Sequence, residues 1–113
     1  MSQITTHILD IARGAPASKV PITLSRWEAN SWHIIGSGVT DNDGRISNLC
    51  ESKMILDAGT YQMHFDTAAY FNAMSDPVFY PWADVAFNID DSGQHYHIPL
   101  LLSPFGHSTY RGS

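Results

Sequence analysis

Short segments in which apolar and polar residues alternate recur along the whole chain, whereas a helical repeat of apolar positions is scarce. Alternation with a period of two places apolar side chains on one face of a strand. Closely spaced segments of this kind, separated by turn signals, are typical of an all-β sandwich or barrel. The sequence therefore predicts an all-β fold, with strands at residues 4–10, 22–29, 32–39, 59–66, 84–89, 95–102 and 107–111.

One segment, residues 67–74, is compatible with a helix of about two turns. Thr67 is a suitable N-cap for this helix, because its hydroxyl can accept a hydrogen bond from a free backbone N–H. The segment ends before Asp76 and Pro77, where a proline prevents the helix from continuing. The sequence predicts this helix and no other.

Turn residues separate the predicted strands. The composition of residues 14–16, Gly-Ala-Pro, predicts a loop after the first strand, because it does not favour continued strand pairing. Asn30 and Ser31 predict a short hairpin turn between the second and third strands. Gly36 and Gly38 in the third strand indicate a bulge or a close approach of another backbone.

The strongest turn signal is Asp43-Gly44, inside the segment 40–45 (TDNDGR). Asp-Gly readily adopts the positive φ angles of a tight turn, so Arg45 is expected just past a rigid turn. Such a position suits either a solvated hairpin residue or a functional side chain that the turn holds in place. The same segment does not form a calcium loop, because Val39 and Cys50 occupy positions that require oxygen ligands.

Two faces of the strand at residues 95–102 differ in character. Tyr96, Ile98, Leu100 and Leu102 point one way and are expected in the core. The opposite face begins with two histidines and is neither an ordinary solvated face nor an ordinary core face. We expect another subunit to cover it, with either a functional His97 or two histidines that are simply exposed or interfacial. That second face comprises His95, His97, Pro99 and Leu101.

The composition narrows the classes of function. A chain of 113 residues predicts one domain, residues 1–113. The net charge of −5, with 6 Lys and Arg residues, argues against nucleic-acid binding. No apolar run approaches the roughly 20 residues that span a bilayer. Charged residues make up 15% of the chain, which is low and suggests either uncharged polar cover or surface buried between copies of the chain.

The start of the chain shows no secretory signal, so a cytoplasmic location is expected, or a periplasmic one if a signal has been removed. Cys50 is a single cysteine, which excludes an internal disulfide. No nucleophile motif surrounds it, and no Gly-x-Ser-x-Gly elbow occurs. The spacing of His95 and His97 would permit two metal ligands, but without further ligand motifs we expect no metal.

Three parts of the sequence together resemble the 5-hydroxyisourate hydrolases, the transthyretin-related proteins of purine catabolism. They are the segments 6–10 (THILD) and 12–17 (ARGAPA), the turn 40–45 (TDNDGR), and the C-terminal segments 96–104 (YHIPLLLSP) and 108–113 (STYRGS). The resemblance covers the whole chain. One departure is visible, since Phe105 and His107 stand where the family usually has tyrosines.

The resemblance implies a transthyretin-like sandwich of two sheets and about eight strands with one short helix. It also implies a homotetramer with active sites at a subunit interface, no cofactor, and hydrolysis of the cyclic amide of 5-hydroxyisourate in urate degradation. His7, Arg45 and His97 match the family's catalytic residues, with His7 and Arg45 also contacting substrate. Tyr110, Arg111 and Ser113, from the C-terminal motif, are the other implied substrate-binding residues.

Elementary chemistry agrees with these roles. Opening a lactam requires a water, a base and a cation for the developing oxyanion. We expect His7 and His97 to position and deprotonate the water, and Arg45 to clamp the carbonyl oxygens. The alternative is a transthyretin-like carrier that binds a small apolar ligand in a tetramer channel. Two imidazoles and a guanidinium argue against that carrier.

Overall fold

The computed structural model describes residues 2–51 and 54–113. Its elements, in chain order, are β1 (Ile4–Asp10), β2 (Ala15–Pro16), β3 (Pro21–Glu28), β4 (Ser31–Val39), β5 (Arg45–Ile46), β6 (Gly59–Phe65), α1 (Thr67–Ala73), β7 (Ala83–Ile89), β8 (Tyr96–Ser103) and β9 (Gly106–Thr109).

These strands form two sheets. The first has the order β2-β1-β8-β9, with β5 also paired to β1, and the second has the order β4-β3-β6-β7. Only β1 and β8 are parallel among these pairs of described strands. The predicted two-sheet, all-β sandwich with one short helix is confirmed.

The core lies between the two sheets and follows the period-two pattern of the sequence. The predicted inward face of β8 is buried, and the alternating residues of β6 face it from the second sheet. Burial of this apolar surface contributes roughly 25 cal/mol per Å². The buried residues from these two strands are Tyr96, Ile98, Leu100, Leu102, Tyr61, Met63 and Phe65.

Two short strands were missed by the sequence pattern. The expected loop at residues 14–16 is wrong in part, because β2 pairs Ala15 with Asp10 and Pro16 with Leu9. A proline is tolerated there, since β2 is an edge strand and needs no donor on its outer side. β5 is equally short, and strands of two residues carry no detectable alternation.

The hairpin between β3 and β4 turns one residue earlier than expected. Ala29 and Asn30 both have positive φ, at 52° and 62°, and Ser31 already belongs to β4. Two residues of positive φ give the twist that matches a tight hairpin. The expected turn at Asn30 and Ser31 is therefore wrong by one position.

The expected bulge in this hairpin is confirmed. The register shifts between Leu24, which pairs with Gly36, and Ser25, which pairs with Ile34. A Cβ atom on Gly36 would lie 1.8 Å from the carbonyl oxygen of Leu49, so the backbone approach that the glycine suggested is also present.

Helix α1 begins with a different cap from the one expected. The carboxylate of Asp66, not the hydroxyl of Thr67, accepts the hydrogen bond from the N–H of Ala69 at 3.1 Å. Thr67 is buried and donates its hydroxyl to the carbonyl of Tyr80 at 2.8 Å. In the described part of the chain, no helix is both long enough and apolar enough to cross a membrane.

The last strand is shorter than the predicted residues 107–111. Gly112 donates its N–H to the carbonyl of His97 at 2.8 Å, in the register that also pairs Leu100 with Thr109. Between these pairs lies Pro99, which has no N–H to donate across the ladder. Strand pairing therefore breaks at Tyr110, and the chain regains contact with β8 only at Gly112.

A buried carboxylate ties β1 to the helix. Asp10 accepts hydrogen bonds from the hydroxyl of Tyr70 at 2.6 Å and from Arg13 at 3.1 Å, and Arg13 also contacts Asp76 beyond the helix. Burial by itself raises the pKa of Asp10, but the Tyr70 and Arg13 hydrogen bonds outweigh it and leave this pKa below its ordinary value. Burial, together with the Asp10 hydrogen bond, raises the pKa of Tyr70 to about 12.

We expect Tyr70→Phe to lower the free energy of unfolding by about 1.5–3 kcal/mol at neutral pH, because a hydrogen bond to a buried charge is lost. Urea unfolding at one fixed protein concentration measures this difference. The matched control is Tyr80→Phe, which removes a hydroxyl from a half-exposed ring and should leave stability unchanged.

The same pair of variants predicts a pH dependence. The pKa of Asp10 is lower in the folded chain than its ordinary value of 3.8, so its contribution is present above that value. It is lost as the pH falls through the folded-state pKa. The difference between wild type and Tyr70→Phe should therefore shrink below about pH 4. A difference that is constant down to acid pH would contradict this role of the Asp10 carboxylate.

Candidate active site

The parallel pairing of β1 and β8 brings polar side chains together on the outward face of the first sheet. Thr5 is the register partner of His97, and His7 is the partner of Pro99. On the other side of β1, His7 pairs with Arg45 of β5. The three predicted catalytic residues therefore lie on adjacent strands of one sheet.

The turn before β5 holds the backbone of Arg45 as the sequence predicted. Gly44 has a φ of +72° and donates its N–H to the carbonyl of Asp41 at 2.9 Å. One carboxylate oxygen of Asp41 accepts from the N–H groups of Asp43 and Arg45, at 2.9 and 3.0 Å. The Arg45 side chain is exposed, so its guanidinium is available to a ligand while its backbone is fixed.

A cleft of about 240 Å³ opens on this face, and we call it the histidine cleft. Its lining contains two imidazoles and a guanidinium and no side-chain carboxylate. Such a lining favours an anionic or carbonyl-rich ligand. The residues that line the histidine cleft are Thr5, Thr6, Arg45, Ile46, Ser47, His95, His97 and Ser113.

His97 is half-buried in the histidine cleft, and its Nδ1 lies 2.8 Å from the hydroxyl of Thr5. Burial lowers the pKa of His97, and the nearby charges of Arg45, His95 and His7 lower it further. A lowered pKa keeps the imidazole neutral at pH 7, with one nitrogen free to accept a proton. His97 therefore has the protonation state that a general base requires.

The C-terminal segment reaches the histidine cleft through Gly112. Its N–H is bonded to the carbonyl of His97, and a Cβ atom at this position would lie 2.7 Å from Cδ2 of the His97 ring. Only glycine allows this approach without displacement of the imidazole. Ser113, the next residue, lies among the residues that line the cleft, and its contact with substrate stays a prediction.

Tyr110 and Arg111 lie elsewhere in the protomer. They line a second cleft of about 240 Å³ between β7 and the end of β8, beside Phe87 and Tyr96. Arg111 donates to the side-chain oxygen of Gln94 at 2.8 Å, and its guanidinium carbon lies 4.8 Å from the centre of the Tyr96 ring. Their contact with substrate stays a prediction, and within one protomer they do not join the histidine cleft.

Sequence reasoning missed Thr5 as a site residue and treated His95 as an exposed or interfacial residue or a weak metal candidate. Thr5 lies 92 positions before its partner His97, and no local pattern reveals a parallel register. In residues 2–51 and 54–113, no group of three or more His, Cys, Asp or Glu side chains is arranged to hold a metal ion.

A comparison with protein families agrees with this geometry. The model of the HIUase/Transthyretin family matches residues 4–112, which is nearly the whole chain. The chain belongs to the HIUase/Transthyretin family. Its sandwich and its outward polar face are therefore those of a member of this family.

Relatives of this chain include the 5-hydroxyisourate hydrolase of Mus musculus, which is 42% identical over 114 residues. The match covers 99% of this chain and 96% of the mouse protein. The uric acid degradation bifunctional protein TTL of Arabidopsis thaliana is 41% identical over 123 residues, covering 97% of this chain and 37% of TTL. This chain thus spans about a third of TTL and almost all of the mouse enzyme.

Solved structures from both branches of the family match the fold. Klebsiella pneumoniae 5-hydroxyisourate hydrolase has a TM-score of 0.86 at 38% identity, with full coverage of both chains. Sea bream transthyretin in complex with thyroxine has a TM-score of 0.91 at 36% identity, covering 97% of this chain and 94% of that chain. Backbone similarity alone does not separate hydrolase from carrier, so the side chains of the site must do so.

Proposed function

We propose that this chain hydrolyses 5-hydroxyisourate in urate catabolism and does so in the histidine cleft. The proposal rests on one observation: His97, Arg45 and Ser113 line the same cleft, and no carboxylate side chain lines it. A substrate with several carbonyl groups and negative charge suits this lining. Full-length relatives with the hydrolase name support the same reaction.

His97 acts as the general base in the proposed reaction. Its neutral imidazole takes a proton from a water molecule as the water oxygen attacks the lactam carbonyl carbon. The tetrahedral intermediate then collapses, the C–N bond breaks, and the ring nitrogen receives the proton from His97. The product is 2-oxo-4-hydroxy-4-carboxy-5-ureidoimidazoline, and this cyclic amide hydrolysis uses only groups of the chain and water.

Arg45 and His7 act beside the base. The guanidinium of Arg45 stabilises the oxygen that becomes negative during attack, and the carboxylate of Asp41 holds the backbone from which this side chain extends. His7 is the register partner of Arg45 on β1, next to the histidine cleft but not among the residues that line it. In this proposal His7 orients the attacking water and binds substrate, and Ser113 completes the edge of the site.

The proposed assembly is a homotetramer with each active site at a subunit interface. The histidine cleft lies on an outward sheet face, and Tyr110 is 56% exposed in the protomer. Phe79 packs against Phe105 with ring centroids 5.9 Å apart, and Tyr80 packs against His107 with ring centroids 5.3 Å apart. Phe79, Phe105 and Tyr80 are nevertheless exposed in the protomer. Exposed aromatic side chains and a low content of charge are typical of surfaces that bind other subunits.

The carrier alternative draws on the similarity to sea bream transthyretin. Its expected ligand is small and apolar, whereas the histidine cleft presents imidazole, guanidinium and hydroxyl groups. Burying an apolar ligand against these groups would cost hydrogen bonds with water and return none. The described cleft therefore favours the hydrolase.

The test generates 5-hydroxyisourate in situ with urate oxidase and follows its ultraviolet absorbance with and without the protein. We expect the protein to accelerate the decay strongly over the spontaneous rate, because base and oxyanion stabilisation act together. Decay at the spontaneous rate would overturn the proposed activity. Light scattering during size-exclusion chromatography tests the tetramer, and a monomer at the assay concentration would contradict the interface site.

A further inference from the structure

A single hydroxyl group bridges the two imidazoles of the histidine cleft. Oγ1 of Thr5 lies 2.8 Å from Nδ1 of His97 and 2.9 Å from Nε2 of His95. The two rings are nearly parallel, with centroids 6.4 Å apart and an interplanar angle of 20°. Thr5 is buried, whereas His95 is exposed at the mouth of the cleft.

A threonine hydroxyl has one proton to donate and lone pairs that accept. Oγ1 of Thr5 has no other hydrogen-bond partner in the described part of the chain, so its own proton is hydrogen-bonded only when Thr5 donates to one ring and accepts from the other. The direction of this hydroxyl therefore couples the tautomers of His95 and His97. If Thr5 donates to Nε2 of His95, then Nδ1 of His97 carries a proton and donates to Thr5.

This second arrangement suits catalysis. With its proton on Nδ1, His97 has a bare Nε2 that can accept a proton from water. When Nε2 takes that proton, Nδ1 keeps its hydrogen bond to Thr5, so no reorientation is needed during the reaction. The opposite arrangement places the proton on Nε2 of His97, and the base is then blocked.

The productive arrangement needs an acceptor on His95. A neutral His95 with a bare Nε2 accepts from the Thr5 hydroxyl, whereas a protonated His95 has donors on both nitrogens and cannot. If a protonated His95 donates to Thr5 and Thr5 keeps its own proton hydrogen-bonded, Thr5 donates to Nδ1 of His97, which leaves the proton of a neutral His97 on Nε2.

Several polar side chains lie near His95. His97 follows on β8, just after His95, while Thr5 and His7 lie on β1 and Arg45 lies on β5. Ser47 and Ser113 complete the lining of the cleft, and no described side-chain carboxylate lines it.

We propose that Thr5 and His95 are positioning residues that hold His97 in the tautomer with a free Nε2. The pair acts through His97 and need not touch the reacting atoms. The inference rests on the proposed function for its effect on turnover, but the tautomer itself can be measured without substrate.

The first test compares isosteric variants. Thr5→Val removes the hydroxyl and should lower kcat about 10-fold with little change in KM, because one positioning hydrogen bond is lost. Thr5→Ser keeps the hydroxyl and should restore most of the activity. The control Thr60→Val removes an exposed hydroxyl that bonds Asn88 on the other sheet, and its kcat should equal that of wild type. Wild-type kcat in Thr5→Val would overturn the proposal.

The second test removes the other partner of Thr5. His95→Leu has no ring nitrogen to accept from the Thr5 hydroxyl, so kcat should fall about as far as in Thr5→Val, with little change in KM. His95→Gln keeps a side-chain oxygen that can accept from Thr5 and should restore most of the activity. Wild-type kcat in His95→Leu would overturn the role of His95.

The third test needs no substrate. Nitrogen-15 chemical shifts of His97 at neutral pH should show Nδ1 protonated in wild type and a mixture of tautomers in Thr5→Val. A wild-type His97 that carries its proton on Nε2 would overturn the inference. If the urate oxidase assay shows no hydrolysis but these shifts are as expected, the proposed function fails while the positioning pair stands.

Discussion

His97→Asn should lower kcat by about 10²- to 10⁴-fold, the range that a positioned general base contributes. Asparagine keeps a polar side chain of similar reach that can still meet the hydroxyl of Thr5, but it cannot take a proton from water. The expected KM changes little, since Arg45 and His7 remain to bind the substrate. The decay of 5-hydroxyisourate generated by urate oxidase measures the effect.

His33→Asn is the matched control for this prediction. His33 lies on β4 of the other sheet, where its described hydrogen bonds stay within its own hairpin, to Ser31 and the carbonyl of Glu28. Its replacement should leave kcat unchanged, and circular dichroism should show both variants folded. Turnover near the wild-type rate in His97→Asn would remove His97 from the role of principal base and leave His7 as the candidate.

Arg45→Met should lower kcat by about 10²- to 10³-fold, because the developing oxyanion loses a charged donor. Arg45→Lys should recover only part of this loss, since an ammonium keeps the charge but lacks the planar fork of donors. The fold should survive either change, because Asp41 holds the backbone N–H of residue 45 rather than its side chain.

A second readout for Arg45→Met follows from the electrostatics of the histidine cleft. The positive charge of Arg45 is one of the causes that lower the pKa of His97, after burial. Without that charge the pKa of His97 rises, so the base becomes protonated at a higher pH. The acid limb of the kcat profile should therefore move to higher pH.

Lys19→Met is the control for both readouts of Arg45→Met. It removes one positive charge from an exposed residue that does not line the histidine cleft. Its kcat and its acid limb should match those of wild type. Equal losses in the two variants would show that net charge, and not the position of Arg45, is responsible.

Local patterns predicted most of the fold. Alternation in residues 95–102 predicted which side chains enter the core, and all four are buried. Turn chemistry predicted the rigid connection before Arg45. The predicted helix cap was wrong because two adjacent residues can both cap. Asp66 caps the helix, while the hydroxyl of Thr67 points inward and donates to the carbonyl of Tyr80. Sequence alone does not say which of two adjacent capping residues faces the helix.

The resemblance to a known family predicted His7, Arg45, His97 and Ser113 as site residues, and the structure places them on or beside one face. It did not predict that the chain would diverge at Tyr110. That divergence follows from the missing N–H of Pro99, which ends the ladder between β8 and β9. Tyr110 and Arg111 consequently line a different cleft of the protomer.

The sequence by itself determined which side chains share a face, because the alternation of a strand is a local property of the backbone. It also determined the rigid turn at Asp43-Gly44, because the conformation of a tight turn is likewise a local property of the backbone. Only the tertiary structure decided that Thr5 lies between His95 and His97, since a parallel register joins residues 92 positions apart. Hydrogen bonds across strands set that register, and their partners are not encoded in any local pattern.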